Sequence, residues 1–136
     1  MTQGADEKNA TRRILVVDDN LDSLAIMKRL LESQHYQVVV ANSGSEALER
    51  IREELIDVVL LDVMMPDMSG LEVLERIKND PGTARLPVML VTAKTHDDDV
   101  LSGYQYGADY YITKPFTRKQ LLYGLSLLLG KGESVG

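Results

Sequence analysis

The chain has 136 residues, with 15 basic against 21 acidic side chains and a formal net charge of −6, and 44% of it is hydrophobic, enough for one domain with its own core. It has no cysteine, which excludes a disulfide framework, thiolate zinc sites and a cysteine nucleophile, while the acidic balance and 5% aromatic content argue against a direct nucleic-acid surface. The longest apolar stretches, Val58 to Leu61 and Leu127 to Leu129, fall far short of a membrane span, and Met1 to Thr11 lacks the apolar centre of a signal peptide, so a cytoplasmic protein with no membrane attachment is expected.

Residues 1–11 are polar and read as a frayed N-terminus. Five runs of β-branched and aliphatic residues follow: Ile14 to Val17, Tyr36 to Val40, Asp57 to Leu61, Pro87 to Val91 and Tyr110 to Thr113. Between them the apolar spacing turns helical. Leu24, Met27, Leu30 and Leu31 form one stripe, Ala47, Leu48, Ile51 and Leu55 a second, and Leu71, Leu74 and Ile77 a third. Capping boxes at Ser43 with Glu46, Ser69 with Glu72 and Thr117 with Gln120 mark helix starts. A fourth helix is expected after Thr95, where Asp97, Asp98 and Asp99 favour a first turn through the helix dipole. The fifth carries Leu121, Leu122, Leu125, Leu127, Leu128 and Leu129 nearly all round. Part of that apolar surface is therefore expected to stay exposed, as a partner or dimer contact together with the fourth helix. The pattern is α/β, a doubly wound (βα)5 domain over residues 12–130, with a parallel five-stranded sheet covered by helices on both faces and a tail at 131–136.

A parallel sheet collects its functional groups at the carboxyl ends of its strands. Strand one ends in Asp18-Asp19, strand three in Asp62, strand four in Thr92 and strand five in Lys114-Pro115. Three carboxylates and one ammonium in one crevice leave it short of positive charge, and a hard divalent ion with oxygen ligands, Mg2+, fits that deficit. Taken singly, Asp18 or Asp19 reads as a turn former or helix cap. Asp62, flanked by Leu60-Leu61 and Val63-Met64-Met65, sits inside an apolar run, where a charge is costly unless paired or metal-bound.

The Asp18-Asp19 pair, the stretch Leu61-Asp62-Val63-Met64-Met65-Pro66-Asp67-Met68-Ser69-Gly70, Val91-Thr92-Ala93, Gly107-Ala108-Asp109 and Tyr111-Ile112-Thr113-Lys114-Pro115-Phe116 together resemble the receiver domain of two-component response regulators, in particular its chemotaxis-regulator-like, stand-alone form. The resemblance implies the flavodoxin-like strand order 2-1-3-4-5. It implies that Asp62 is the phosphoryl acceptor, that Asp18, Asp19, Asp62 and the main-chain carbonyl of Met64 hold Mg2+, and that Lys114 and the Thr92 hydroxyl contact the phosphoryl oxygens. It also implies a cis Lys114-Pro115 bond, a switch pairing Thr92 with Tyr111, and an output face on the fourth helix, fifth strand and fifth helix. The implied partners are a sensor histidine kinase or phosphotransfer protein and a downstream protein target.

Two positions individualise the chain. Of Met64 and Lys94, two residues beyond Asp62 and Thr92, the thioether cannot orient a hydrolytic water and the ammonium is placed to cover the phosphoryl oxygens, so slow self-dephosphorylation is expected. Tyr104 and Tyr106 read as half-buried packing residues, and His35 and His96, lacking ligand company, as surface residues. A phosphatase of the haloacid dehalogenase type would want a second acid two residues after the nucleophile, where Met64 stands. A flavin or nucleotide binder would want a phosphate-binding loop where Asp18-Asp19-Asn20 would repel one. The readings left beside a stand-alone receiver are one excised from a longer regulator, and an interaction module with a vestigial site.

Overall fold

The computed structural model describes residues 12–93 and 107–131. The expected fourth helix with Thr95, and with it Lys94, His96, Tyr104 and Tyr106, lies outside the described residues, as do 1–11 and 132–136. Five strands, β1 (Arg13–Val17), β2 (Gln37–Ala41), β3 (Val58–Asp62), β4 (Val88–Ala93) and β5 (Tyr110–Lys114), alternate with helices α1 (Leu21–Ser33), α2 (Gly44–Glu53), α3 (Gly70–Asn79) and α4 (Arg118–Lys131). The strands form one parallel sheet in the order β2-β1-β3-β4-β5.

Alternation along the strands sends side chains to two separate cores. Ile14, Val16, Val58, Leu60, Met89, Val91 and Ile112 pack with Leu24, Met27 and Leu31 of α1 and with the leucines of α4. Leu15, Val17, Val59, Leu61, Val88 and Leu90 pack with Ala47 of α2 and with Val73, Leu74 and Ile77 of α3. Each fully buried Leu or Ile contributes about 1.5–3 kcal/mol relative to exposure.

All three expected N-caps form, and Thr117 with Gln120 closes the full reciprocal box, the Thr117 N–H donating to Gln120 Oε1 at 2.8 Å. Ser43, Ser69 and Thr117 accept from the amides of Glu46, Glu72 and Gln120 at 3.1, 3.2 and 3.0 Å. Asn20 caps α1 by accepting from Ser23 at 3.0 Å, a start that has no capping-box signature.

The last helix packs one leucine stripe on the sheet and leaves a smaller apolar remainder than its leucine count suggests. Leu121, Leu125, Leu128 and Leu129 are buried and Leu122 is half-buried, so of its leucines only Leu127 is exposed, at 41%, beside Tyr123 at 60%. Gly124 contributes: a Cβ there would stand 2.7 Å from Met89 Cε and 2.8 Å from the Tyr110 ring, so its absence lets the helix lie close against the sheet. Among the described residues no helix is long and apolar enough to cross a membrane.

Candidate functional site

Strand register brings the expected groups to one edge. Val17, the residue before Asp18, pairs with Leu61, the residue before Asp62; Asp62 pairs with Val91, Thr92 with Thr113 and Ala93 with Lys114. Carboxylate oxygens of Asp18, Asp19 and Asp62 all lie within 4.8 Å of one another. Lys114 Nζ donates to Asp18 Oδ2 at 2.9 Å and stands 3.7 Å from Asp62 Oδ2. Asp18 and Asp62 are buried, whereas Asp19 is exposed. Asp18 is further occupied by the amide of Asn20, which donates to its Oδ1 at 2.9 Å.

The electrostatics follow from this crowding. Burial pushes the Asp62 carboxyl up to about 6, and the negative charge of Asp18 adds to it, against the opposing pull of the Lys114 ammonium and of the Met64 N–H. Burial also works against the charge on Lys114, but its bond to Asp18 and the charge of Asp62 outweigh that and hold its pKa above the ordinary lysine value. Three oxygen-bearing acids, one cation and an exposed member are the donor chemistry of a hard divalent ion such as Mg2+, and the arrangement fits one.

The backbone beyond Asp62 is shaped to hold it. Met64 N–H donates to Asp62 Oδ1 at 3.1 Å, with the Met64 side chain 54% exposed. Gly70, at the first turn of α3, donates to Val63 O at 2.9 Å. A Cβ on Gly70 would stand 2.2 Å from the carbonyl oxygen of Asp62, so only glycine lets the helix start there.

Thr92 is buried but not joined to the acids. Its hydroxyl meets Ala93 O at 3.5 Å, the outer limit of a hydrogen bond. Tyr111 is half-buried and packs with the core of Leu90, on the sheet face to which the alternation also assigns Thr92. The Lys114-Pro115 bond is cis. A groove of about 520 Å3, lined by Ser23, Ile26, Met27, Leu30, Pro115 and Phe116, opens beside Asp18 and Lys114.

Two polar ties have no counterpart in the sequence reading. Asp67 accepts from the amides of Gly44 and Ser45. At the opposite end of the sheet, Lys78 Nζ donates to Asp109 Oδ2 at 2.9 Å and to the carbonyls of Leu86 and Ala84 at 2.7 and 3.3 Å. Partners 22 and 31 residues apart leave no local pattern. The loop acid before Ser69 and the Gly-Ala-Asp turn before β5 were the only visible hints.

A family model described as the response regulator receiver domain matches residues 14–125. The "Probable cyclic di-GMP phosphodiesterase" of Vibrio cholerae is 44% identical over 102 residues, covering 75% of this chain and 23% of its own length. The DNA-binding response regulator MtrA of Mycolicibacterium smegmatis is 38% identical over 122 residues, covering 90% of this chain and 52% of its own length. The chain thus spans about half, or less, of these relatives. A crystal structure of a CheY-like response regulator receiver domain protein from Methanospirillum hungatei superposes with a TM-score of 0.83 at 32% identity, covering 88% of this chain and 94% of that one.

Proposed function

The chain belongs to the receiver domain family of two-component response regulators, signalling domains switched by phosphorylation, and on that premise we propose that Asp62 is its phosphoryl acceptor. The observation that carries this reading is the placement of Asp62 between two acids and Lys114 Nζ, with the Met64 N–H on one of its oxygens. A free Asp62 Oδ attacks the phosphorus of a phosphohistidine on a sensor kinase or phosphotransfer protein. A P–O bond forms, the P–N bond breaks, and the imidazole nitrogen keeps the bonding pair.

Lys114 turns from its bond to Asp18 to the incoming phosphoryl oxygens as a point charge on a flexible stem. Asp19 directly, Asp18 directly or through water, Asp62 and the Met64 carbonyl would hold Mg2+. Bound there, the ion supplies the positive charge that lets a carboxylate and a phosphoryl group approach each other. Thr92 then donates its hydroxyl to the phosphoryl group, giving up its weak contact with Ala93 O, and the space it leaves admits Tyr111. The changed surface of β5 and α4, together with the fourth helix expected after Thr95, binds a downstream protein target or a second copy.

We take 12–130 as the receiver, with 1–11 and 131–136 as flanks, working in the cytoplasm. The domain assists its own phosphorylation, and Met64 makes phosphoryl loss slow. A receiver that is part of a longer regulator is the second reading, favoured by the greater length of the relatives. The apparent mass of the native polypeptide on an immunoblot separates the two.

The test of the acceptor is Mg2+-dependent labelling by a small phosphodonor. Wild type should take up one label and Asp62→Asn none. Label retained by Asp62→Asn would sink the assignment.

A further inference from the structure

The loop of residues 63–69 carries the Met64 main chain past the acceptor. Its ends are fixed, because Val63 N–H donates to Val91 O at 3.1 Å and Gly70 N–H to Val63 O at 2.9 Å. Its middle is exposed at Met64, Pro66 and Asp67, while Met65 and Met68 are half-buried against the core under α2 and α3. Its polar tie to α2 is the Asp67 carboxylate, which accepts from Gly44 N–H at 3.1 Å, Ser45 N–H at 3.3 Å and Ser45 Oγ at 3.1 Å.

These bonds complete the start of α2. Its first three amides are those of Gly44 and Ser45, taken by Asp67, and of Glu46, taken by Ser43. Bonds from Gly44 and Ser45 hold the Asp67 carboxyl below its ordinary pKa, keeping it ionised at the positive end of the helix. Gly44 adds a steric reason for the loop to dock there. A Cβ on it would stand 2.9 Å from both Met68 Cβ and Val73 Cγ2.

We propose that Asp67 is a positioning residue for the acceptor site: its ties to the start of α2 hold the loop so that the Met64 main chain faces Asp62 before any cation arrives. This rests on the reading of Asp62 and Met64 as Mg2+ ligands. Loss of the tie is therefore expected to weaken cation binding rather than to remove the acceptor.

The test is calorimetric titration of the unphosphorylated full chain with Mg2+, alongside thermal melts. Asp67→Ala should weaken Mg2+ binding roughly 10-fold, the lower end of what loss of a ligand-orienting partner causes. Asp67→Asn, whose single amide oxygen can accept from Ser45 N–H and Oγ at the Oδ2 position but leaves Gly44 N–H, bonded to Oδ1, without its acceptor, should recover only part of it. Ser43→Ala removes the other cap of α2 without touching the loop, so it should lower the melting temperature and leave Mg2+ binding unchanged. Ser45→Ala removes only the hydroxyl tie and keeps the test open should Asp67→Ala fail to fold; it should weaken binding by about two- to threefold, a fraction of the full loss. The proposal is overturned if the Asp67 and Ser45 variants bind Mg2+ like wild type, or if Ser43→Ala weakens binding as much as they do. Asp62→Asn in the same titration tests the underlying reading alone: binding as tight as wild type would remove Asp62 from the ligand set, whatever the Asp67 variants show.

Discussion

Two lysine–aspartate pairs of identical length, 2.9 Å, sit at opposite ends of the same sheet. Lys78 at the amino end finds one acid and two carbonyls. Its partner Asp109 also accepts from Val88 N–H, so charge and hydrogen bonding are both satisfied. That pair ties α3, the loop after it and the entries to β4 and β5 into one corner. Lys114 at the carboxyl end stands among three acids and leaves a surplus of two negative charges. What separates a structural pair from a site here is stoichiometry of charge, since the bond lengths are the same.

If that contrast is right, one kind of substitution should have opposite signs at the two ends. Asp109→Asn leaves Lys78, whose side chain is 15% exposed, without a counter-charge, and should cost about 2–3 kcal/mol of stability in denaturant titration while phosphodonor labelling below the melt is preserved. Asp62→Asn should stabilise the metal-free protein by about 1–2 kcal/mol at pH 8, at 1.36 kcal/mol per pKa unit with a discount for relaxation. The sign follows from the raised pKa. Folding penalises the ionised Asp62, so the penalty is absent below about pH 4, grows as pH rises through about 6 and is then constant. A stability difference that grew on acidification would contradict the burial of this charge. Mg2+ at about ten times its dissociation constant should raise wild-type stability by about 1.4 kcal/mol, reversed by a chelator. The same increment should appear in Asp109→Asn and shrink in Asp62→Asn. The smallest effect concerns lifetime. Met64→Asn, which places a water-orienting amide on an exposed position, should speed loss of the phosphoryl label several-fold, and an unchanged decay rate would remove Met64 from that role.

Much of the molecule was legible because its signals are local. Strands buried on both faces must be continuous apolar runs, so Val58 to Leu61 could be read directly, and Asp62 stood out as the charge that ends such a run. Ser43, Ser69 and Thr117 announced their helices because a cap acts within three residues. The site was legible for a topological reason: parallel strands bring their last residues together whatever lies between them. The Lys78 clamp and the Asp67 tie were not, since each joins elements whose relative position depends on packing of helices against the sheet. The extent of apolar exposure on the last helix, confined to Leu127 and Tyr123, was overestimated for the same reason. Counting leucines around a helical wheel does not show that Gly124 lets the helix sink towards Met89 and Tyr110.

The separation of the two cores has a further consequence. Asp18 and Lys114 open onto the groove of Met27, Leu30 and Phe116, which belong to the core under α1 and α4. Tyr111 and Leu90 belong to the core under α2 and α3, the face to which the alternation also assigns Thr92. A phosphoryl group between Lys114 and Thr92 would therefore stand at an edge of the sheet that borders both layers. With the layers divided by the sheet, such a group would border the packing on both faces at once.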